Sequence, residues 1–316
     1  MLSVSYVGTQ GHALLVDLES NVGNPALCLS VSQPSQVTPD SGTCGPFGEN
    51  GIYTRADGTV VNGTRSPLGN KMGSNGIFKT IGNSNYNSLQ ASFRHRSGPL
   101  EMLAAYTFSK SMDDSSAWGD QVNPLNYGLS RSLSAFDVTH NFVVSYSYEL
   151  PFARYFGTHR LTSGWLISGI TRFATGLPVT LIENDDNSLL GTFCTGPNCD
   201  VVDTPVFNGG KLHFSNPRTG QPYFDPGLFS LEAAGQLGNA NKRFFHGPGF
   251  NNWDMALLKD THITESKVLQ FRFEFFNIFN HAQFNNPPGD ILNSNFGYVT
   301  SASDPRIGQV ALKLLF

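Results

Sequence analysis

The sequence predicts an all-β fold, an incomplete antiparallel transmembrane β-barrel portion of about eight strands with long extracellular loops, and three observations predict it. Charged residues form 14% of the chain, against roughly 25% in ordinary soluble domains, while aromatics reach 12%. No segment approaches the roughly 18 apolar residues of a spanning helix, and runs such as Phe142-Val143-Val144 soon break. Short and long connections also alternate along the chain, as expected of barrels with short periplasmic turns and long outer loops. The mean hydropathy of -0.19 fits strands that turn alternate residues to lipid and to a polar lumen.

The strands are legible from period-two alternation. Eight are expected, beginning near residues 2–7, 85, 100, 136, 161, 251, 268 and 306. Leu89, Ala91 and Phe93 share one face, with Gln90, Ser92 and Arg94 on the other. Met102, Ala104, Tyr106 and Phe108 line the next strand, and Phe142, Val144, Tyr146 and Tyr148 the one after. Between 268 and 277 the pattern is sharpest: Leu269, Phe271, Phe273 and Phe275 oppose Gln270, Arg272 and Glu274. A soluble sandwich would bury that phenylalanine face against a second sheet; a barrel turns it to lipid. The last strand, Val310 to Leu315, also alternates and is followed by Phe316.

Short connections are expected at 96–99, 151–160 and 260–267, and long ones at about 17–84, 111–135, 183–250 and 280–305. This arrangement is consistent only if 161–182 is one strand, bent near Thr175-Gly176-Leu177-Pro178; a true reversal there would put the 183–250 loop on the wrong side. Eight strands can close a small barrel, but loops this long suit a wider one.

Other features narrow the function. A net charge of -4 provides no basic field for nucleic acid. Met1-Leu2-Ser3-Val4-Ser5-Tyr6 has none of the parts of a signal peptide, so 1–316 is expected to be the C-terminal portion of something longer. Cys28/Cys44 and Cys194/Cys199 are two local pairs in Gly/Pro/Asn-rich loops, candidates for disulfides in an exported protein, with unpaired thiols as the alternative.

Several segments carry a resemblance. They are Tyr6-Val7-Gly8-Thr9-Gln10-Gly11-His12, Asn85-Tyr86-Asn87-Ser88-Leu89-Gln90, Tyr106 to Asp114, Phe136 to Phe142, Gly247 to Asp254 and Arg272 to His281. Together, in this order and spacing, the chain resembles the C-terminal barrel of TonB-dependent outer-membrane receptors. It is most similar to the Oar-like family with a carboxypeptidase-regulatory-like domain. The resemblance implies uptake of an unidentified ligand across the cell outer membrane. It also implies insertion by the barrel-assembly machinery, for which Phe316 resembles the terminal signal, and contact with TonB through a plug. The family's plug domain is absent from 1–316, so a plug-containing upstream chain is an expected partner, besides outer-membrane lipid. The alternative is a non-transporting surface or structural protein, or a barrel component completed by another chain.

Arg94, Arg272 and Glu274 are the candidates for the lumen, where charge meets water rather than hydrocarbon. Trp165, Trp253, Tyr106, Tyr148 and Tyr298 are candidates for interfacial girdles. His140 beside Asp137, and His281 beside Asn280, read as rim hydrogen bonds. No nucleophile–base spacing supports an enzyme, no cofactor is implied and no metal site is assigned. The acids Asp113, Asp114 and Asp120, with Asp185 and Asp186, lack EF-hand spacing and read as solvated loop residues rather than calcium ligands. Gly8 and Gly11 shape a strand end, since no phosphate-binding pattern follows.

Overall fold

The computed structural model describes residues 1–192 and 202–316. Cys194 and Cys199 lie outside the described residues. Eight long antiparallel strands form one sheet in chain order: β1 (Leu2–Glu19), β2 (Gly76–Ser97), β3 (Leu100–Asp113), β4 (His140–Glu149), β5 (Trp165–Ala174), β6 (Phe250–His262), β7 (Val268–Phe276) and β8 (Ile307–Leu315). A two-residue strand, Ser132–Leu133, adds to the end of β3. The sheet is open, because β1 and β8 are its two edges and do not pair with each other. No described helix is long and apolar enough to cross a membrane.

Register explains why the alternation in the sequence matters. Phe275 opposes Met255 and Phe273 opposes Leu257 across β6–β7, while Phe273 also opposes Val310 and Phe271 opposes Leu312 across β7–β8. Leu257 continues to Ile167, and Ile167 to Tyr148. Tyr106 pairs with Phe142 and Ala91, Phe108 with Leu89, and Leu89 with Tyr6. Opposed residues project to the same side, so the apolar sets of all eight strands fall on one continuous face. The other face carries Ser5, Gln90, Thr107, Asn141, Ser147, Ser168, Arg172, Asp254, Arg272 and Gln309, placed by the same registers.

Among the described residues, nothing covers the apolar face. Phe93 is 40% exposed, Phe108 47% and Leu312 63%, values no water-facing sheet of this size would present. The accessible surface is 17403 Å², against about 13,000 Å² for a compact soluble monomer of this mass.

The long connections, 20–75, 114–139, 175–249 and 277–306, all leave one end of the sheet; 98–99, 150–164 and 263–267 turn at the other. Gly98 takes φ 59 in the two-residue turn between β2 and β3, a backbone region that favours glycine. β1 and β2 outrun the roughly 9–11 residues that span a bilayer, and beyond an irregularity between Gly11 and Leu15 they carry their pairing into the loop region.

The expected bent strand over 161–182 is not continuous. β5 ends at Ala174, and the following residues leave the sheet. They make isolated bridges, Pro178 with His246 and Ile182 with Asp290, and scattered backbone hydrogen bonds such as Val179 N–H to the Phe245 carbonyl. Gly176 permits this exit, since a Cβ there would lie 2.2 Å from the Pro248 carbonyl oxygen. The chain does not reverse at that point, so the following long loop stays on the same side as the other three.

The described loops fold into a crown with its own cores. Phe224, fully buried, meets Phe229, Phe245 and Phe296 edge to face at centroid distances of 5.6, 5.1 and 5.2 Å. This cluster joins the loop after β5 to the loop after β7. A second cluster contains Cys28, Val31, Cys44, Tyr53 and Leu189, joining the first loop to the third. Asn24 caps its short helix, Pro25–Val31, by accepting from the Leu27 N–H at 3.0 Å.

Cys28 and Cys44 form a disulfide inside that second cluster, with a sequence separation of 16. A link closing a loop of this size stabilises by about 3 kcal/mol. Changing both residues to alanine should therefore speed amide hydrogen exchange over 25–54 by roughly a hundredfold, with β2 unchanged. Equal exchange in the two proteins would show that the link adds nothing to the crown.

Candidate functional site

The polar face and the crown above it make the candidate site. Near the crown the face forms a groove of about 330 Å³, lined among others by Tyr86, Gln90, Thr107, Ser109, Asp137 and Asn141. Strand alternation supplies the hydroxyls and amides, because every second residue of β2, β3 and β4 points there. Its volume lies within the range of small-molecule sites. It can offer hydrogen bonds to a polar ligand, whereas the Asp137 carboxylate in its wall is buried and held by the Ser111 N–H and His246.

Arg94, Arg272 and Glu274 lie on the polar face, but in two separate places. Arg94 is on β2 near the short turn, 3.6 Å from Glu101, and both side chains are about half exposed. Arg272 pairs with Glu274 on β7, and Glu274 also accepts from Gln309 of β8. Arg94 and Arg272 belong to strands separated by four others. Phe316, just beyond β8, is 95% exposed.

Four of the expected girdle aromatics lie on the apolar face, at two heights. Tyr148 and Trp165 are near the short turns, and Tyr106 and Trp253 near the crown. Lys259 sits 5.9 Å from the Trp165 ring and donates to the Asp260 carbonyl and the Thr261 hydroxyl. Its ammonium thereby reaches toward the end of the sheet, as lysines do at a membrane boundary. Tyr298 departs from the expectation: it lies in the loop after β7, in the crown. Alternation alone could not exclude it, because loop aromatics that build a crown look like strand aromatics in isolation.

Of the loop acids, Asp185 is exposed, in line with the solvated reading, whereas Asp113, Asp114, Asp120 and Asp186 are placed differently. Asp120 is 4% exposed and accepts from Lys242 Nζ at 2.6 Å and from Arg243 Nη2 at 2.7 Å. Burial opposes its ionisation, but Lys242 and Arg243 outweigh that and hold its carboxyl below the usual range. Asp113 lies 3.8 Å from Arg243, and Asp114 pairs with Arg131. Asp137 accepts from the Ser111 N–H and is 2.8 Å from His246 Nε2. His140 instead meets the Tyr106 hydroxyl at 2.8 Å, and the His281 N–H donates to Asn277. Arg65 donates to the carbonyls of Asn21 and Gly191, tying the first loop to the third.

Sequence reasoning missed Lys242, Arg243 and His246 as partners of these acids. The adjacent basic pair in a segment poor in charge was the available signal. Pairing across more than 100 residues has no local period and could not be read from spacing.

A two-faced antiparallel sheet with lipid-type girdles, short turns at one end and a loop crown at the other defines an outer-membrane barrel protein. The chain matches the outer membrane beta barrel domain family over residues 1–309 and belongs to that family. None of the curated proteins matches it. The protein is therefore one of the cell outer membrane, with its apolar face in the lipid, and the crown lies on the extracellular side, where such barrels carry their long loops.

Proposed function

We propose that this chain forms part of the wall and the extracellular crown of a TonB-dependent, Oar-like uptake receptor. Its role in this reading is to admit and bind a ligand rather than to catalyse. The observation that carries the reading is the polar groove directly beneath a crown whose loops are joined by apolar cores and buried ion pairs. A folded crown over a polar lumen selects what enters, whereas a purely structural wall needs neither. The sequence resemblance supplies the energy coupling: a plug, in this chain's polypeptide or another, would fill the lumen and reach TonB.

The open sheet favours a second element of the same reading. The outer edges of β1 and β8 carry backbone groups without ladder partners, and each such group costs several kcal/mol in hydrocarbon. Further strands are needed to satisfy them. Cross-linking in intact cells tests the proposal: a tagged form should capture TonB together with additional barrel strands and a plug. Capture of barrel strands without TonB would favour the non-transporting surface role and reject energised uptake.

A further inference from the structure

The geometry points to a calcium site in the crown, formed by Glu183, Asp203 and Glu232. Oxygen atoms of all three lie within 4.8 Å of one another. Calcium binds oxygen at 2.3–2.6 Å, so ligands on opposite sides of one ion are up to about 5 Å apart. The cluster has the span of a single coordination sphere. It is also sealed from water, with Glu183 0%, Asp203 2% and Glu232 6% exposed.

The hydrogen bonds divide these carboxylates in an informative way. Glu183 Oε1 accepts from the Asp185 N–H at 3.0 Å, and Asp203 Oδ2 accepts from the Ser188 hydroxyl at 2.7 Å. Their other oxygens, Glu183 Oε2 and Asp203 Oδ1, have no hydrogen-bond partner, nor has either oxygen of Glu232. Four buried oxygens are thus without donors, while their companions are oriented by the backbone and a hydroxyl. Leaving a buried polar group unsatisfied is destabilising, and more so when it is charged. A divalent cation satisfies them together.

The charges nearby do not replace it. Asp186, whose carboxylate takes the Gly191 and Phe47 N–H groups, adds to the negative potential at Asp203 and at Glu49. Arg65 faces Glu49, and Lys242 is held by Asp120. Without an ion, burial and then the neighbouring acids push Glu232 up to about 8, and burial foremost pushes Asp203 up to about 7. Protons therefore occupy the cluster at low pH. The sign follows for these two groups: their contribution to crown stability is fully present below the usual carboxylate range and is lost as pH rises through about 7 to 8. Calcium takes the place of those protons. An all-carboxylate, rigidly positioned set suits calcium better than magnesium, which retains several waters.

The assignment goes beyond the uptake reading and does not depend on it. Its test is calorimetric titration of calcium chloride into the whole chain in an uncharged detergent at pH 8, with magnesium chloride in parallel. Saturable one-to-one calcium binding is expected, at least tenfold weaker for magnesium and for the Glu232→Gln and Asp203→Asn variants. Without calcium those variants should exchange crown amides no faster than the parent, since each removes a repelling charge. In the unaltered protein, calcium should slow exchange around 179–191 and 202–205. Absence of saturable binding, unchanged exchange on adding calcium, or equal calcium affinity in the Asp203→Asn/Glu232→Gln double variant would overturn the site and leave a proton-sharing acid cluster.

Discussion

Replacing Phe273 by arginine should nearly abolish accumulation of the protein in the outer membrane, whereas Ser147→Arg should leave it close to the parental level. Phe273 occupies the middle of β7 on the apolar face, between Leu257 and Val310, and packs against Phe271 at a centroid distance of 4.5 Å. An arginine on the lipid side near the bilayer midplane costs about 2–4 kcal/mol, and loss of the ring removes apolar contact as well. Ser147 lies on the opposite face, between Glu101 and Ser168. A guanidinium there meets water and a carboxylate. The measurement is the folded fraction in isolated outer membranes, read by heat-modifiable electrophoretic mobility. Equal losses for the two substitutions would mean that the faces are not lipid and lumen.

Asp120→Ala should unfold the crown locally without dissolving the sheet. Lys242 and Arg243 have side chains only 4% and 1% exposed and both donate to this carboxylate. Removing one partner of a buried ion pair costs about 3–5 kcal/mol, because the remaining charge stays out of water. Crown amides near 116–134 and 240–246 should exchange at least a hundredfold faster, while β6 and β7 keep their protection. Adding Lys242→Met should recover part of the loss, since it removes the buried ammonium whose carboxylate the first substitution takes away. A change of less than about 1 kcal/mol in the single variant would place the stability of the crown in its phenylalanine cluster rather than in these charges.

The two substitutions probe parts of the protein that were unequally visible in the sequence. The strands, their faces and the side of each loop could be read directly. Alternation such as Leu269-Gln270-Phe271-Arg272-Phe273-Glu274 is a local property, and a period of two survives whatever the strand pairs with. Arg94, Arg272 and Glu274 could be assigned to the polar face for the same reason. Strand ends were less legible: β1 and β2 run well past the expected boundaries, and β5 stops at Ala174, because pairing partners and the close approach at Gly176 set where a ladder ends.

What the sequence by itself determined was the class of fold and the two-faced sheet, since each residue's side follows from its neighbours one and two positions away. Only the tertiary structure decided the crown. It brought Phe224 to Phe296, Asp120 to Lys242 and Arg243, and Glu183 to Asp203 and Glu232. Those partners come from distant points on loops with no repeating geometry, and their meeting depends on the path of every segment between them. The physical reason is the range of the interactions: strand alternation is set by the pleat of a single backbone, whereas a buried charge or a packed ring is set by whatever the whole chain places beside it.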